Sequence, residues 1–141
     1  MATTTATFTL SSPDLVSTPI SLSSTATLYD AGTTTGVTQV KMGRNEIPLG
    51  SPTNFDLLDA TAAHANKANK FYIANKATND DHYVVVTIGA QVIGRLYAGD
   101  WMYMPWEAAA DTQDIEVQAF VAAQVIEWVV FHEGETLNAA S

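Results

Sequence analysis

The chain has 141 residues, of which 47% are hydrophobic and 15% charged, a composition that corresponds to one folded domain rather than a disordered chain. Six basic residues lie scattered among fifteen acidic ones, and the net charge of −9 excludes the basic stripe that a nucleic-acid-binding protein uses to neutralise phosphates. Cysteine is absent, which excludes disulfides, cysteine-bound zinc and thiol catalysis.

The N-terminal half alternates apolar and polar residues, a pattern that predicts antiparallel strands with one polar face. The predicted strands of this half are, in chain order, residues 2–10, 20–28, 37–42 and 55–58. A turn is predicted at residues 30–36 and a loop at residues 43–54, where two prolines and two glycines interrupt the pattern. Residues 60–70 are compatible with a short helix or with a surface loop.

Strand patterns are denser in the C-terminal half. The predicted strands there are residues 71–75, 83–88, 91–96, 101–106, 114–120 and 125–131, with turns at 78–81, 89–90 and 98–100. About eight to ten short strands with turns between them are typical of an all-β fold. We therefore predict an antiparallel β-sandwich, either jelly-roll-like or a small barrel, with a threonine-rich N-terminal arm.

The domain organisation follows from where these patterns begin and end. We predict an N-terminal arm over residues 1–12, a β-sandwich domain over residues 13–133 and a flexible tail over residues 134–141. The apolar face of the arm consists only of small residues together with Phe8 and Leu10. An arm with so small an apolar face could hardly fold alone. We therefore expect it to pair with this domain or with a neighbouring subunit.

Metal sites and nucleophiles are the first chemistry to test. The three histidines, His64, His82 and His132, lack metal-binding spacing, although Asp80-Asp81-His82 and His132-Glu133 could meet across adjacent strands. No Gly-x-Ser-x-Gly nucleophile motif and no glycine-rich phosphate loop before a helix is present. We predict neither a metal site nor a cofactor.

Carboxylates offer the remaining route to catalysis. Five acidic residues crowd one stretch, namely Asp100, Glu107, Asp111, Asp114 and Glu116. A pair of carboxylates could serve a glycosidase, and a calcium ion could bind Asp111, Asp114 and Glu116 or the group Asn79, Asp80 and Asp81. Acidic residues at turns and outward strand positions are nevertheless the default in so acidic a chain. We therefore predict no catalytic residue and no enzyme.

Residues 94–106 hold two Trp, two Tyr and two Met around the turn Ala98-Gly99-Asp100, and we predict a β-hairpin that forms the central strand pair of the sandwich. Alternation places Trp101 and Tyr103 on one face and both methionines on the other, so that one pair lies in the core. Aromatic residues, methionine and arginine are enriched in subunit interfaces. The pair that faces outwards is therefore a predicted self-association surface.

The last predicted strand supports the same conclusion, because Trp128 and Val130 alternate with Val129 and Phe131 and both faces are apolar. Two such strands carry more apolar surface than one core needs, and we predict a homo-oligomer. The predicted interface residues are Phe8, Leu10, Arg95, Trp101, Tyr103, Trp106 and Phe131.

Several segments resemble a known class of protein. They are Lys70-Phe-Tyr-Ile-Ala-Asn75, His82-Tyr-Val-Val-Val-Thr-Ile, Ile93-Gly-Arg-Leu96, Ala98-Gly-Asp-Trp101, Met104-Pro-Trp106, Asp114-Ile-Glu-Val117 and Glu127-Trp-Val-Val-Phe131. Over residues 55–133 the chain resembles small virion proteins of tailed bacteriophages, including cyanophages. The resemblance implies a β-sandwich building block, often trimeric, of a capsid decoration, fibre or tail part. It implies no catalytic residue.

The resemblance implies a head decoration (cement) protein that sits on the capsid exterior as a homotrimer. Its expected partners are the major capsid protein or other virion proteins, and its expected location is the virion after synthesis in the host cytoplasm. The N-terminus lacks a signal-peptide pattern and no apolar run approaches ~20 residues, so no membrane partner is expected. The alternatives are a tail or fibre module that binds glycans through Trp101 or Trp106, and a glycan hydrolase or lyase that uses Asp100.

Overall fold

The computed structural model of the chain describes residues 3–50, 55–60, 65–109 and 111–133, and over these residues the fold is all-β, as predicted. Its ten strands are β1 (Thr5–Ser12), β2 (Ile20–Thr27), β3 (Gln39–Ile47), β4 (Phe55–Leu58), β5 (Lys70–Asn75), β6 (Tyr83–Ile88), β7 (Gln91–Tyr97), β8 (Trp101–Pro105), β9 (Ile115–Phe120) and β10 (Gln124–His132). A single 3-10 turn lies at Asp111–Gln113. No helix in the described part of the chain is long and apolar enough to cross a membrane.

Two four-stranded antiparallel sheets form the body of the molecule. Sheet I has the strand order β3-β10-β5-β8, and sheet II has the order β4-β9-β6-β7. Alternate residues of both sheets point inwards and form one core, which includes Phe71 and Ile73 from sheet I and Val84, Val86 and Val117 from sheet II. The two sheets thus make a β-sandwich whose outer faces consist of the remaining alternate residues.

The N-terminal strands form a sheet of their own. β1 pairs with β2 in an antiparallel hairpin, with Ala6 opposite Ala26 and Leu10 opposite Leu22. The predicted arm of residues 1–12 therefore has its partner strand within the chain, because residues 20–27 continue the same alternation and complete the ladder. The predicted tail, residues 134–141, lies outside the described residues, as do residues 61–64 of the segment that could have been a short helix. Residues 65–69 of that segment contain a turn and no helix.

Most predicted strands are confirmed within one or two residues, but the loop predicted at residues 43–54 is wrong over its first part. β3 continues to Ile47, where it pairs with Gln124 at the start of β10. Neither Gly43 nor Asn45 is apolar, so the alternating pattern of a strand is not visible at these positions. Both residues nevertheless accommodate the side chain of Trp128. The indole Nε1 of Trp128 donates to Asn45 Oδ1 at 2.8 Å, and Gly43 leaves the space that the indole ring occupies.

The predicted β-hairpin at residues 94–106 is also wrong. β7 pairs with β6 in sheet II, whereas β8 pairs with β5 in sheet I, so the turn between them crosses from one sheet to the other. The backbone of Asn75 holds the turn. Its backbone N donates to Asp100 O at 2.9 Å, and its backbone carbonyl oxygen accepts from Gly99 N at 3.0 Å. β7 and β8 are therefore edge strands of opposite sheets and not a central pair.

Gly43 provides a test of the Trp128 contact. A Cβ atom at this position would lie 2.7 Å from Cζ2 and 2.9 Å from Cε2 of the buried Trp128 ring. We expect Gly43→Ala to lower the free energy of unfolding by about 1–3 kcal/mol, measured by chemical denaturation, because the ring must shift and strain its bond to Asn45. Gly94→Ala is the matched control within a strand, since no atom lies within 4 Å of its Cβ position. Equal effects of the two substitutions would contradict the proposed packing.

Candidate assembly surface

The outer face of sheet I carries a row of apolar side chains across all four strands. The strand registers place Met42 beside Val129, Val129 beside Tyr72 and Tyr72 beside Tyr103. Neighbouring positions on the same face add Val40, Phe131 and Trp101, and we call these seven residues the outer apolar face. Met42 is 69% exposed and Trp101 is 50% exposed, so much of this surface faces solvent.

The N-terminal hairpin lies across part of the outer apolar face. Its base adjoins the start of β3, where Leu28 N donates to Thr4 O and Val37 N donates to Leu28 O. Farther along, the ring of Phe8 meets the indole of Trp101 edge-on at 6.5 Å between centroids. The hairpin thus crosses sheet I from the β3 side towards the β8 edge. Between hairpin and sheet lies an open cleft of about 1000 Å³, lined on the sheet side by Tyr72, Trp101, Tyr103, Val129 and Phe131.

On the hairpin side, the lining of the cleft ends at Phe8 on β1 and Ser24 on β2. Leu10 and Leu22 lie opposite each other on the face that carries Phe8, and they are 45% and 55% exposed. Leu15 and Val16, in the loop that joins the two strands, are also exposed. These four residues form an apolar projection, which we call the hairpin tip. Large apolar groups that project into water are typical of surfaces that a partner covers.

The charges of the chain are distributed unevenly between the two sheets. Five of the six basic residues lie on or near the strands of sheet I, namely Lys41, Arg44, Lys67, Lys70 and Lys76. Arg44 and Lys76 both pair with Glu127, at 3.5 and 3.4 Å, and form a small charged group beside the outer apolar face. This sheet is therefore the least acidic part of a strongly acidic protein.

Arg95 is the sixth basic residue and lies on the outer face of sheet II. Its guanidinium sits over the ring of Tyr83, 4.6 Å from the centroid, and Tyr83 stacks on Phe120 at 5.0 Å. A hydrogen bond from Arg95 to Tyr97 is the main cause that raises the pKa of Arg95 above its ordinary value. Arg95 belongs to this aromatic cluster and lies on the opposite side of the sandwich from Trp101.

Trp106 is a core residue, and the expectation that it lies at an exposed surface is wrong. Its side chain is 3% exposed, packs near Phe71 and donates from Nε1 to Gln113 O at 2.7 Å. Alternation accounts for this position, because Trp101, Tyr103 and Pro105 point outwards and the next residue points inwards. The structure thus gathers Phe8, Trp101, Tyr103 and Phe131 around one cleft, with Leu10 just beyond it on the hairpin tip.

Four members of the outer apolar face are absent from the predicted interface residues, namely Val40, Met42, Tyr72 and Val129, although alternation placed Val129 on the same face as Phe131. Val40 and Met42 alternate with polar residues along β3, but the predicted strand ends at residue 42, which conceals the length of its outward face. Tyr72 sits between two apolar neighbours that enter the core, and its outward direction was the available signal. Alternation predicted that one of the two pairs lies in the core, and in the structure it is Met102 and Met104 that pack against it.

Three of the acidic residues considered for catalysis accept hydrogen bonds from backbone N–H groups. Asp100 Oδ2 accepts from Tyr97 N at 2.9 Å, Asp114 Oδ1 from Ala60 N at 2.6 Å and Glu107 Oε1 from Asn66 N at 3.2 Å. Over the described ranges, no group of three His, Asp or Glu side chains is placed to hold a metal ion. In the cleft, partial burial raises the pKa of Tyr103 above its usual value, so this phenol stays neutral at physiological pH.

Comparison of the chain with models of protein families, with curated proteins and with solved structures found no match.

Proposed function

We propose that this chain is a non-enzymatic structural protein of a tailed-bacteriophage virion. In this role it is a capsid decoration protein that forms a homo-oligomer, a trimer, on the head exterior and stabilises the lattice of the major capsid protein. The observation that carries the proposal is the outer apolar face of sheet I, which stays largely exposed in the single chain. The resemblance of residues 55–133 to small virion proteins supplies the biological setting.

Exposure of the outer apolar face to water is unfavourable, and self-association would remove this surface from water. Met42, Val40 and Trp101 are each half-exposed or more, and about 25 cal/mol is gained for each Å² of apolar surface that a contact removes from water. Aromatic residues and methionine are also the residue types enriched at the centre of interfaces. A second surface of the same chemistry, in another copy or in a capsid subunit, would remove this cost.

The charge of the molecule supports a position outside the capsid. A net charge of −9 repels packaged nucleic acid, while the basic residues gathered at sheet I lower the repulsion between acidic subunits at that surface. The outer apolar face therefore lies where a like-charged neighbour can approach most closely. This arrangement favours the outer face of sheet I, rather than sheet II, as the contact surface.

We expect the substitution Met42→Asp to dissociate the oligomer in light-scattering measurements across a concentration series. A desolvated carboxylate at an interface centre costs about 2 kcal/mol or more, which weakens association about 30-fold. Val92→Asp is the matched control, because Val92 is 68% exposed on the edge strand of sheet II and Met42 is 69% exposed on the edge strand of sheet I. A wild-type chain that is monomeric throughout, or equal effects of both variants, would contradict the proposal.

The same proteins test the capsid partner. Wild-type chain and Val92→Asp should bind expanded phage heads that lack the decoration protein and raise their melting temperature, whereas Met42→Asp should do neither. Unchanged head stability on addition of the wild-type chain would count against decoration.

A tail or fibre module is the second candidate, and Trp101 is the observation that favours it. This indole is half-exposed at the cleft and lies 6.2 Å from the ring of Tyr72, an arrangement on which a sugar ring could stack. Binding to a glycan array that disappears in Trp101→Ala, without any effect on heads, would replace decoration with this function.

A further inference from the structure

The hairpin tip has no surface to cover it in its own subunit, as far as the described residues extend. Phe8 already contacts Trp101 on β8, the edge strand of sheet I. Leu10 lies two residues farther along β1, about 7 Å beyond Phe8 at the rise of a β-strand. The hairpin therefore continues past the edge of the sandwich, and the exposed Leu10 and Leu22 face the space beyond that edge.

The opposite edge of sheet I carries apolar side chains that nothing in the described part of the chain covers. β3 is the other edge strand of sheet I, and its outward residues Val40 and Met42 are 54% and 69% exposed. Three strand spacings of about 4.8 Å separate β3 from β8, so the hairpin tip of one chain lies far from its own Met42. Each chain thus presents an overhanging apolar tip at one edge and an uncovered apolar surface at the other.

The charges near the hairpin tip and near the β3 edge differ in sign. The only ionisable side chain in residues 3–28 is Asp14, which lies in the loop at the hairpin tip beside Leu15. The β3 edge carries Lys41, Arg44 and Glu46, and both Arg44 and Lys76 pair with Glu127. These three basic and two acidic side chains have a net charge of +1. The apolar tip, with its single acidic residue, therefore faces an apolar edge that has a small positive charge. On the β7 edge of sheet II the basic residue is Arg95, which lies over the ring of Tyr83 and donates to Tyr97.

We propose that the hairpin tip of one copy packs on the β3 edge of the outer apolar face of the next copy. This inference rests on the proposed self-association and specifies its geometry. Because the donating and receiving surfaces differ, the contact is heterologous, and repetition around a rotation axis closes it into a ring. Every subunit then both donates a tip and receives one, which suits a trimer and leaves no tip uncovered.

Cross-linking tests the contact directly, because the natural chain contains no cysteine. We would prepare Leu22→Cys and Met42→Cys as separate proteins, mix them, allow subunits to exchange and add a short bismaleimide. Mixed dimers of the two variants should dominate on a denaturing gel, while the double variant Leu22→Cys/Met42→Cys should give a covalent ring. The control mixture, Leu22→Cys with Val92→Cys, should give at least tenfold less mixed product.

The outcomes separate this inference from the function on which it rests. A wild-type chain that is oligomeric but yields only Leu22–Leu22 cross-links has a symmetric tip-to-tip contact, which overturns the heterologous ring and leaves self-association intact. Equal yields with Met42→Cys and Val92→Cys would also overturn it. A wild-type chain that remains monomeric in light scattering overturns the proposed self-association and, with it, the ring.

Discussion

Replacement of Gly89 by alanine is expected to lower the free energy of unfolding by about 4 kcal/mol. Gly89 forms the β6–β7 turn with a φ of +61°, and its amide N donates to Asp114 O at 3.0 Å. A Cβ atom there would lie 1.8 Å from the carbonyl oxygen of Thr112. Both the left-handed backbone and the backbone-to-backbone approach demand glycine, so the substitution must displace either the turn or the 3-10 segment at Asp111–Gln113.

Gly99 is the matched control for this prediction. It also forms a tight turn with a positive φ, +87°, but no atom lies within 4 Å of the position that its Cβ would take. Gly99→Ala should therefore cost only the left-handed conformation, about 1 kcal/mol. Chemical denaturation of the two variants beside the wild-type chain measures the difference. Similar losses for both would show that the approach of Thr112 does not constrain Gly89.

Strand positions were predictable because alternation is a local signal. β4 and β6 occupy the residues that their patterns predicted, since an inward apolar side chain at every second position needs no knowledge of the partner strand. Which strands pair with each other was not predictable from this local signal. β7 and β8 are joined by a three-residue turn that suits a hairpin, yet they belong to opposite sheets because Asn75 fixes the turn and β8 completes a ladder with β5.

The candidate surface was predictable in part for the same reason. The outward directions of Trp101, Tyr103 and Phe131 follow from alternation within their strands, and the structure gathers all three at one cleft. Met42 was missed because Gly43 and Asn45 hid the continuation of β3, and their role becomes visible only once Trp128 lies across them. Trp106 was misplaced at the surface although its parity with the inward methionines indicated the core.

The two strands of the N-terminal hairpin were predictable from the sequence pattern, but the position of the hairpin on the sandwich was not. Its threonines and serines alternate with apolar residues as regularly as in any strand, and the two runs pair over their full length. Sequence pattern alone does not reveal that this sheet stands apart from the sandwich and projects beyond its edge. At the base of the hairpin, Leu28 is buried and its carbonyl accepts from Val37 N, and farther out Phe8 contacts Trp101, while the tip remains in solvent. The consequence is an apolar projection whose partner the fold itself does not supply.

Asn75 joins the two sheets at one end of the sandwich, through contacts that no sequence pattern indicates. It is 1% exposed, and its Nδ2 donates to Leu96 O at 2.8 Å and to Gln124 Oε1 at 3.0 Å. Gln124 in turn donates from Nε2 to Tyr83 O at 2.9 Å and Phe120 O at 2.7 Å in sheet II. Two buried amides on sheet I thus satisfy the backbone of three strands in the other sheet.

We expect Asn75→Ala to lower the free energy of unfolding by about 3 kcal/mol, because it leaves the Leu96 carbonyl and the Gln124 amide buried without their partner. Asn79→Ala is the control. The Asn79 side chain is exposed and its amide contacts the ring of His82 at the surface, so its loss should change stability by less than about 0.5 kcal/mol.

Chemical denaturation at one protein concentration, with the far-UV signal and tryptophan fluorescence as independent probes, measures both changes. Asn75 holds the turn between β7 and β8 through its backbone N–H and its backbone carbonyl, both of which alanine retains, so this turn should stay in place in the variant. A loss below about 1 kcal/mol would contradict this prediction and mean that water or a rearranged Gln124 side chain replaces the missing amide.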